Sequence, residues 1–329
     1  MKNNIINRAT LLKLYSDMVR IRTIEEGLAN NILSGEIKCP THLYSGQEAV
    51  AVGFCNALKK TDYVYGNHRS HGYYIAKGGN INALIAEIYG KETGCSKGRG
   101  GSMHIIDNKV NVMGTSAMIA GTIPQAVGTA LAMKLKNKND IVVSFFGDAA
   151  GEEGALYESL NFAKIYNLPI VFVVENNLYS QHLHILERKP HDKIGEIGRY
   201  FRIPYKVLNG NNVVEVYKNA QSAVAQARNF TPMIIECLTY RQRGHVGAKD
   251  DVDGVDTKDI RDKKEIVKWK KRDPIIFFHK KYAKKTGLNT TIIKQIESKV
   301  HKEFQSAVNF ARKSPFPKPS SINNYVFEK

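Results

Sequence analysis

The sequence has 329 residues, a formal net charge of +17 and 43% hydrophobic residues. This length suits one large domain or two smaller ones, and this apolar content supports an ordinary globular core. Every apolar run is strand-sized, so no membrane span is predicted. The N-terminal segment lacks a signal-peptide pattern, and Glu25 and Glu26 argue against a targeting helix.

The positive charge raises the question of nucleic-acid binding. Much of the excess follows residue 260, where Lys alternates with apolar residues at helical spacing, as in DKKEIVKWKKRD. Lys dominates over Arg, the better base reader, and no nucleic-acid motif is found. We therefore expect no nucleic-acid partner, and a solvated basic surface or an acidic protein partner instead. Four cysteines without a C-x-x-C pair predict reduced thiols in a cytoplasm.

The predicted elements begin with a helix over about residues 8–33, with Thr10 as its N-cap. A helix over 47–59, a short strand breaking into a polar loop within 62–72, and a helix near 80–90 come next. A glycine-rich stretch follows at 94–104. After it we predict a buried helix over 117–136, a strand over 141–148, a helix and a strand over 170–177. The remaining predicted elements are a strand over 205–209, a helix over 213–228 and a strand over 233–240.

This alternation of helices and strands predicts an α/β fold with a mostly parallel sheet and helices on both of its faces. Residues 1–260 are expected to form one α/β domain, and 261–329 a helical C-terminal extension of the same domain. The acidic stretch KDDVDGVD (249–256) is expected to be a mobile loop.

Two predicted strands end in residues that can bind a cation. IVVSFFGD ends at Asp148, IVFVVENN ends at Asn177, and a helical segment lies between them. This is a βαβ pattern, which brings both carboxyl ends to the edge where open α/β sheets bind ligands. Mg²⁺ takes one or two such protein oxygens and completes its shell with phosphates and water. The pair predicts a clamp for a metal-bound diphosphate, with ordinary strand-ending turns as the alternative.

Other polar clusters follow apolar elements and are expected to converge on the same edge. His42 precedes a helix, His68 and Arg69 follow a strand, and His245 follows the strand MIIECLTY. The fork-shaped cation of Arg69 suits diphosphate oxygens. Each of these residues alone is more often structural or solvated, so the prediction depends on their joint position.

The segment GDAAGEEGALYESLNFAKIYNLPIVFVVENNLYS resembles the thiamine diphosphate motif, in which Gly-Asp-Gly, a helix and Asn-Asn follow one another. The version it resembles is that of the alpha subunits of two-chain 2-oxo acid and acetoin dehydrogenases. HLYSGQEAVAVG, NHRSHGYYIAKG, AEIYGKETGCSKGRGGSMHI and TYRQRGH look like the same pattern in the same order. Two of these, NHRSHGYYIAKG and AEIYGKETG, look closer to acetoin-type subunits.

The resemblance implies a thiamine-diphosphate-binding fold and specific site residues. Asp148, the Asn177 side chain and the Tyr179 carbonyl are implied to hold Mg²⁺. His245, near the diphosphate and the thiazolium, and His42, at the substrate entrance, are implied to be catalytic. The residues implied to contact the cofactor, including its diphosphate and aminopyrimidine, are His68, Arg69, Ala117, Ile119, Asp148, Ala149, Ala150, Asn177 and His245.

The chain departs from the family pattern at several positions. Ala149 replaces the second glycine of Gly-Asp-Gly, which requires a negative φ there. GTSAMIAG (114–121) replaces a loop that usually reads GNGIVG, and His68 stands where the family often has Tyr. No Ser occurs between Arg241 and Asp256, and Val246 takes the position of the first regulatory phosphoserine of mitochondrial relatives. This chain is therefore expected to lack that switch.

The resemblance implies an alpha subunit that decarboxylates a 2-oxo acid, or cleaves acetoin, and passes the acyl group to a lipoyl-bearing acyltransferase. It also implies a two-alpha, two-beta assembly whose beta subunit supplies the glutamate that protonates the aminopyrimidine. Glu48, Glu152 and Glu153 are better explained as helix starts. The altered loops leave an alternative, a thiamine-diphosphate-dependent carboligase or decarboxylase of a biosynthetic pathway without a lipoyl acceptor.

Overall fold

A computed structural model describes residues 6–248 and 261–324 of the chain. The acidic stretch 249–256, predicted to be a mobile loop, lies outside the described residues.

Six parallel strands form the central sheet, in the order β2-β1-β3-β4-β8-β7. A small antiparallel hairpin, β5-β6, stands apart from it. The strands are β1 (Tyr63–Asn67), β2 (Val112–Ser116), β3 (Val142–Gly147), β4 (Ile170–Asn176), β5 (Tyr179–Ser180), β6 (Leu183–His184), β7 (Tyr205–Asn209) and β8 (Met233–Leu238).

Helices surround this sheet. They are α1 (Arg8–Leu33), α2 (Glu48–Cys55), α3 (His71–Ala76), α4 (Ile81–Ile88), α5 (Ile123–Leu135), α6 (Gly154–Ile165), α7 (Ile185–Arg188), α8 (Gly198–Phe201), α9 (Val213–Arg228), α10 (Lys263–Lys270), α11 (Pro274–Thr286) and α12 (Thr290–Lys313). Short 3₁₀ helices span Asp148–Glu152, Gly195–Ile197 and Pro319–Ser321. In the ranges 6–248 and 261–324, none of the helices combines the length and apolarity that a bilayer crossing needs.

Alternating side chains on the strands supply two hydrophobic layers, one on each face of the sheet. In β3, Val143 and Phe145 join the layer that α1, α2, α4, α9 and α12 cover. Val142 and Phe146 join the other layer, beneath α5 and α6. Because the strands are buried on both faces, they read as continuous apolar runs. The predicted α/β fold, with its parallel sheet between helices, is confirmed.

Three local predictions were wrong. Asn7, not Thr10, caps α1, because the Asn7 side chain accepts a hydrogen bond from the Thr10 backbone N–H. The helix predicted over 117–136 begins only at Ile123, next to Pro124, which is favoured in a first turn. No strand was predicted over β2 and no helix over α3, and it is pairing with β1 that defines β2.

Helices α11 and α12 pack against the N-terminal helix α1. Arg20 of α1 donates two hydrogen bonds to Glu303 of α12, at 2.9 and 2.6 Å. Gly27 of α1 lies beneath the Phe304 ring, where an added Cβ would be 2.3 Å from the nearest ring carbon. This close approach joins the two ends of the described chain into one hydrophobic layer.

Two helical glycines should respond in opposite ways to Gly→Ala substitution. A Cβ at Gly53 of α2 would lie 2.5 Å from Val216 of α9, whereas a Cβ at the exposed Gly128 of α5 meets nothing within 4 Å. We expect Gly53→Ala to lower the free energy of unfolding by about 1–3 kcal/mol through overpacking. Gly128→Ala should raise it by about 0.5–1 kcal/mol through helix propensity. Urea unfolding measures both, and equal effects of the two substitutions would contradict the packing described.

Candidate functional site

A cavity of about 340 Å³ lies at the carboxyl ends of β1, β3, β4 and β8. This is the edge at which parallel α/β sheets bind ligands. Its lining brings together every residue for which a site role was predicted: His42, His68, Arg69, Ala117, Ile119, Asp148, Ala149, Ala150, Asn177, Tyr179 and His245.

Asp148 directly follows β3 and is almost fully buried, with 1% of its surface exposed. Its carboxylate forms an ion pair with the guanidinium of Arg188, which also contacts Glu152. Burial raises the pKa of Asp148, and the charge of Arg188 opposes this effect. Arg188 lies at the end of α7, and nothing in its local sequence identified it as a site residue.

Asn177 follows β4, which pairs with β3 so that Glu175 lies opposite Gly147. The Asn177 Oδ1 accepts a hydrogen bond from the Tyr179 backbone N–H at 3.2 Å, and its Nδ2 donates to Gln47 Oε1 at 2.9 Å. Leu178 and Gln181 both have left-handed backbones, with φ of 72° and 52°. Such values are costly for residues other than glycine, so the surrounding contacts must hold this turn in place.

His42, His68 and His245 form a cluster in the cavity, with ring centroids 4.6 to 5.5 Å apart. Burial, and then the charge of Arg69, lower the pKa of each imidazole to about 2. All three are therefore neutral at physiological pH. Their ligand atoms lie within 4.8 Å of one another. The neighbouring Arg69 and Arg241 nevertheless repel a cation, so the cluster suits an anion better than a metal ion.

Arg69 connects two loops that are distant in sequence. It is 3% exposed, and its guanidinium donates to the Leu43 carbonyl at 2.5 Å and to the His245 carbonyl at 3.0 Å. These bonds use two of the five N–H donors of a guanidinium, which leaves others for a ligand. Burial, and then the charge of Arg241, lower the pKa of Arg69 to about 9.

Arg241 determines the tautomer of His245. Its Nη1 lies 3.1 Å from His245 Nδ1. A guanidinium can only donate, so Nδ1 accepts, and the neutral ring carries its hydrogen on Nε2. His245 is thus ready to donate a hydrogen bond to an oxygen.

A buried chain of hydrogen bonds holds the His42 backbone. The His42 N–H donates to Ser102 Oγ at 3.1 Å, and Ser102 Oγ lies 2.9 Å from His71 Nε2. His71 Nδ1 lies 2.9 Å from a carboxylate oxygen of Glu25. The Nδ1 of His42 itself is buried without a hydrogen-bond partner, so it is available to a ligand.

The backbone accommodates Ala149 and the altered GTSAMIAG loop in different ways. Ala149 lies inside the 3₁₀ helix Asp148–Glu152, so its Cβ is tolerated there. Ala120, in the GTSAMIAG loop, takes a left-handed φ of 58°, which its surroundings must hold in place. The nearby Ile119 is 41% exposed and Met118 is 73% exposed, so this side of the cavity is open.

Glu175 is a cavity residue that the sequence-based prediction missed. It is 1% exposed, and it accepts hydrogen bonds from the Tyr44 hydroxyl and from Asn67 Nδ2. Burial raises the pKa of Glu175 to about 7, against the effect of these bonds. A glutamate inside the apolar run IVFVVENN was the available signal, because a buried carboxylate needs partners. Gln47 and Arg241 also line the cavity and were not predicted.

The three glutamates predicted as helix starts do not line the described cavity. Glu48 begins α2 and pairs with Arg22 at 2.5 Å. Glu152 ends the 3₁₀ helix, and Glu153 directly precedes α6. Val246, at the position of the phosphoserine, is 51% exposed and has no hydroxyl to modify.

Comparisons with known proteins agree with this geometry. The sequence matches the profile of the dehydrogenase E1 component family over residues 16–320. The chain belongs to this family. It is 37% identical to the alpha subunit of acetoin:2,6-dichlorophenolindophenol oxidoreductase of Bacillus subtilis (strain 168). This similarity extends over 317 residues, which are 96% of this chain and 93% of the Bacillus subunit.

Two further relatives of this E1 component are pyruvate dehydrogenase alpha subunits. The chloroplastic E1 subunit alpha-3 of Arabidopsis thaliana is 36% identical over 330 residues, which cover 98% of this chain and 76% of the relative. The E1 subunit alpha of Porphyra purpurea is 35% identical over 330 residues, which cover 98% of this chain and 94% of the relative.

The family implies thiamine diphosphate as the cofactor, and the cavity of this E1 component has the groups to receive it. Arg69 and the neutral imidazoles offer donors to an anionic diphosphate. The carboxylate of Asp148 and the amide oxygen of Asn177 are hard oxygens that suit a small divalent cation. The unpartnered His42 Nδ1 is a further buried polar atom that a ligand would satisfy.

The ion pair between Arg188 and Asp148 should stabilise the metal-free E1 chain. Their side chains are only 7% and 2% exposed. We expect Arg188→Met to lower the free energy of unfolding by about 3–5 kcal/mol in metal-free buffer, because it leaves a buried carboxylate unpaired. In an Asp148→Asn background the same substitution should cost much less.

Glu152→Gln is the control for this double-mutant cycle. It removes the negative charge of Glu152, whose side chain is 36% exposed and whose carboxylate is the second that contacts Arg188. It should cost less than about 1 kcal/mol. Urea unfolding of the four variants and the wild type provides the measurement. Additive effects of the Arg188 and Asp148 substitutions would show that the pair does not stabilise the fold.

Proposed function

We propose that this chain is the alpha subunit of a two-chain E1 enzyme that acts on a 2-oxo acid or on acetoin and transfers the acyl group to a lipoyl carrier. The single observation behind it is the cavity in which Asp148, Asn177, Arg69 and His245 meet at one edge of the sheet. The similarity to an acetoin oxidoreductase subunit and to pyruvate dehydrogenase subunits supports the substrate class.

We propose that Asp148, the Asn177 amide oxygen and the Tyr179 carbonyl would hold Mg²⁺, which would offset the negative charge of the diphosphate. The burial of both side chains and the pairing of β3 with β4 support this assignment. His68 and Arg69 are proposed to bind the diphosphate, with Ala149 and Ala150 packing against it. Ala117 and Ile119 are proposed to border the aminopyrimidine, and all of these residues line the cavity.

Bound thiamine diphosphate supplies a thiazolium carbon that can add to a carbonyl carbon and store the resulting negative charge. His245 is proposed to stabilise negative charge on the substrate oxygen, by donating a hydrogen bond from Nε2. Its lowered pKa makes it a poor base, which favours this role over proton removal. His42 is proposed to contact the substrate at the entrance, through its unpartnered Nδ1.

A beta subunit is proposed to complete the site in a two-alpha, two-beta assembly. Among the described cavity residues, the carboxylates are Asp148 and Glu175, and both already have partners. We therefore propose that the glutamate that would protonate the aminopyrimidine comes from the beta subunit. The exposed Met118 and Ile119 beside the cavity support coverage by such a chain.

We infer that residues 1–260 are the cofactor-binding domain and 261–329 a helical extension of it, because Phe278 of α11 and Phe304 of α12 share a hydrophobic cluster with α1. The cytoplasm is the proposed compartment, since the four cysteines are all free.

An activity assay tests the function. The chain, co-purified with its beta subunit, should oxidise pyruvate, a branched 2-oxo acid or acetoin with an artificial electron acceptor, and only when Mg²⁺ and thiamine diphosphate are both present. Activity that persists after both are removed would contradict the proposal. Turnover of substrate to a coupled or decarboxylated product, without acylation of a lipoyl carrier, would favour the biosynthetic alternative.

The metal assignment has its own test. Asp148→Asn should weaken Mg²⁺ and cofactor binding together by about 10–100-fold or more, since changes to outer-shell groups alone cost that much. Calorimetry on the stripped complex measures both affinities, and Asp192→Asn, an exposed aspartate outside the cavity, is the matched control. Undiminished affinity in Asp148→Asn would remove Asp148 from the metal site.

A further inference from the structure

Gln47 contacts a proposed metal ligand from a different part of the chain. It is the residue immediately before α2 and is 1% exposed. Its Oε1 accepts a hydrogen bond from Asn177 Nδ2 at 2.9 Å, across 130 residues of sequence. Among the described residues, Gln47 is the side chain that accepts a hydrogen bond from the Asn177 amide.

The bond matters because the two ends of a carboxamide are not equivalent. Its oxygen can bind a cation, whereas its NH₂ group can only donate hydrogen bonds. The Tyr179 backbone N–H donates at 3.2 Å to the atom assigned as Asn177 Oδ1, so that atom must be the oxygen. The NH₂ group then points at Gln47, whose facing atom must be its own oxygen. The Tyr179 N–H and Gln47 together fix which end of the Asn177 amide is available to a cation.

We propose that Gln47 is a positioning residue for the divalent cation: it holds the Asn177 amide so that its oxygen, and not its nitrogen, faces the metal. The proposal rests on the proposed function, because it presumes that Asn177 binds the cation. It also assigns a role to the segment before α2, which contributes His42 to the same cavity. Positions of this kind, which orient ligands without touching the metal, strongly affect metal affinity.

The test measures the Kd for Mg²⁺ by calorimetry on the alpha–beta complex, stripped of metal and saturated with thiamine diphosphate. Gln47→Met keeps the length of the side chain but removes the acceptor. We expect it to raise the Kd about 10–100-fold. The deficit in activity should shrink as the Mg²⁺ concentration rises. Gln47→Glu keeps an acceptor oxygen and should retain tight binding. Gln221→Met, at an exposed position on α9, controls for the methionine.

Gln47→Met in an Asn177→Asp protein distinguishes loss of amide orientation from general disruption of the site. Asn177→Asp has two equivalent oxygens and needs no orientation, so Gln47→Met should change the Kd by less than about threefold there. If Gln47→Met does not fold, as judged by circular dichroism, Gln47→Asn takes its place, because its shorter side chain withdraws the acceptor and predicts the same loss.

The outcomes distinguish this inference from the proposed function. A wild-type complex that binds no Mg²⁺ with thiamine diphosphate would overturn both. Tight binding by the wild type together with an equal Kd in Gln47→Met would overturn only the role of Gln47. Equal weakening by Gln47→Met and Gln47→Glu, or the same loss in the Asn177→Asp background, would also overturn it.

Discussion

The pairing of β3 with β4 is the constraint on which the site depends. The strands are parallel and adjacent, with Gly147 opposite Glu175, so the residues that follow them emerge at the same height on one edge of the sheet. The connection through α6 makes this arrangement a consequence of local chain order. The proximity of Asp148 and Asn177 therefore follows from the pairing of two consecutive strands and needs no contact between distant parts of the chain. The other residues of the cavity are arranged around this pair.

Charge is distributed unevenly around that pair. Arg69 and Arg241 are buried beside three neutral imidazoles, and burial lowers the pKa of both guanidinium groups to about 9. Burial raises the pKa of Asp148 and Glu175, each of which has a hydrogen-bonded partner. Burying several charges of both signs in one cavity carries a desolvation cost. A bound anion would offset the charge of the two arginines, and a divalent cation bound with it would offset the charge of the carboxylates.

The sequence predicts those parts of the site that strand ends determine. Asp148, Asn177, His68 and Arg69 follow strands, and the parallel sheet brings them together whatever their neighbours are. Arg188 could not be predicted, because it reaches Asp148 from a one-turn helix beyond the β5-β6 hairpin. The partnership of Gln47 with Asn177 likewise depends on tertiary packing. In the fold, β2 was missed because its five residues include a glycine and because pairing with β1, not periodicity, defines it.

The two carbonyl contacts of Arg69 have a consequence for how the molecule matures. They span 26 and 176 residues of sequence, so the binding pocket has high contact order and can close only after the strand that leads to His245 has docked. A nascent chain that has completed only its first half has no competent pocket. A ligand that needs Arg69 and His245 together can therefore bind only after the chain has folded past residue 245.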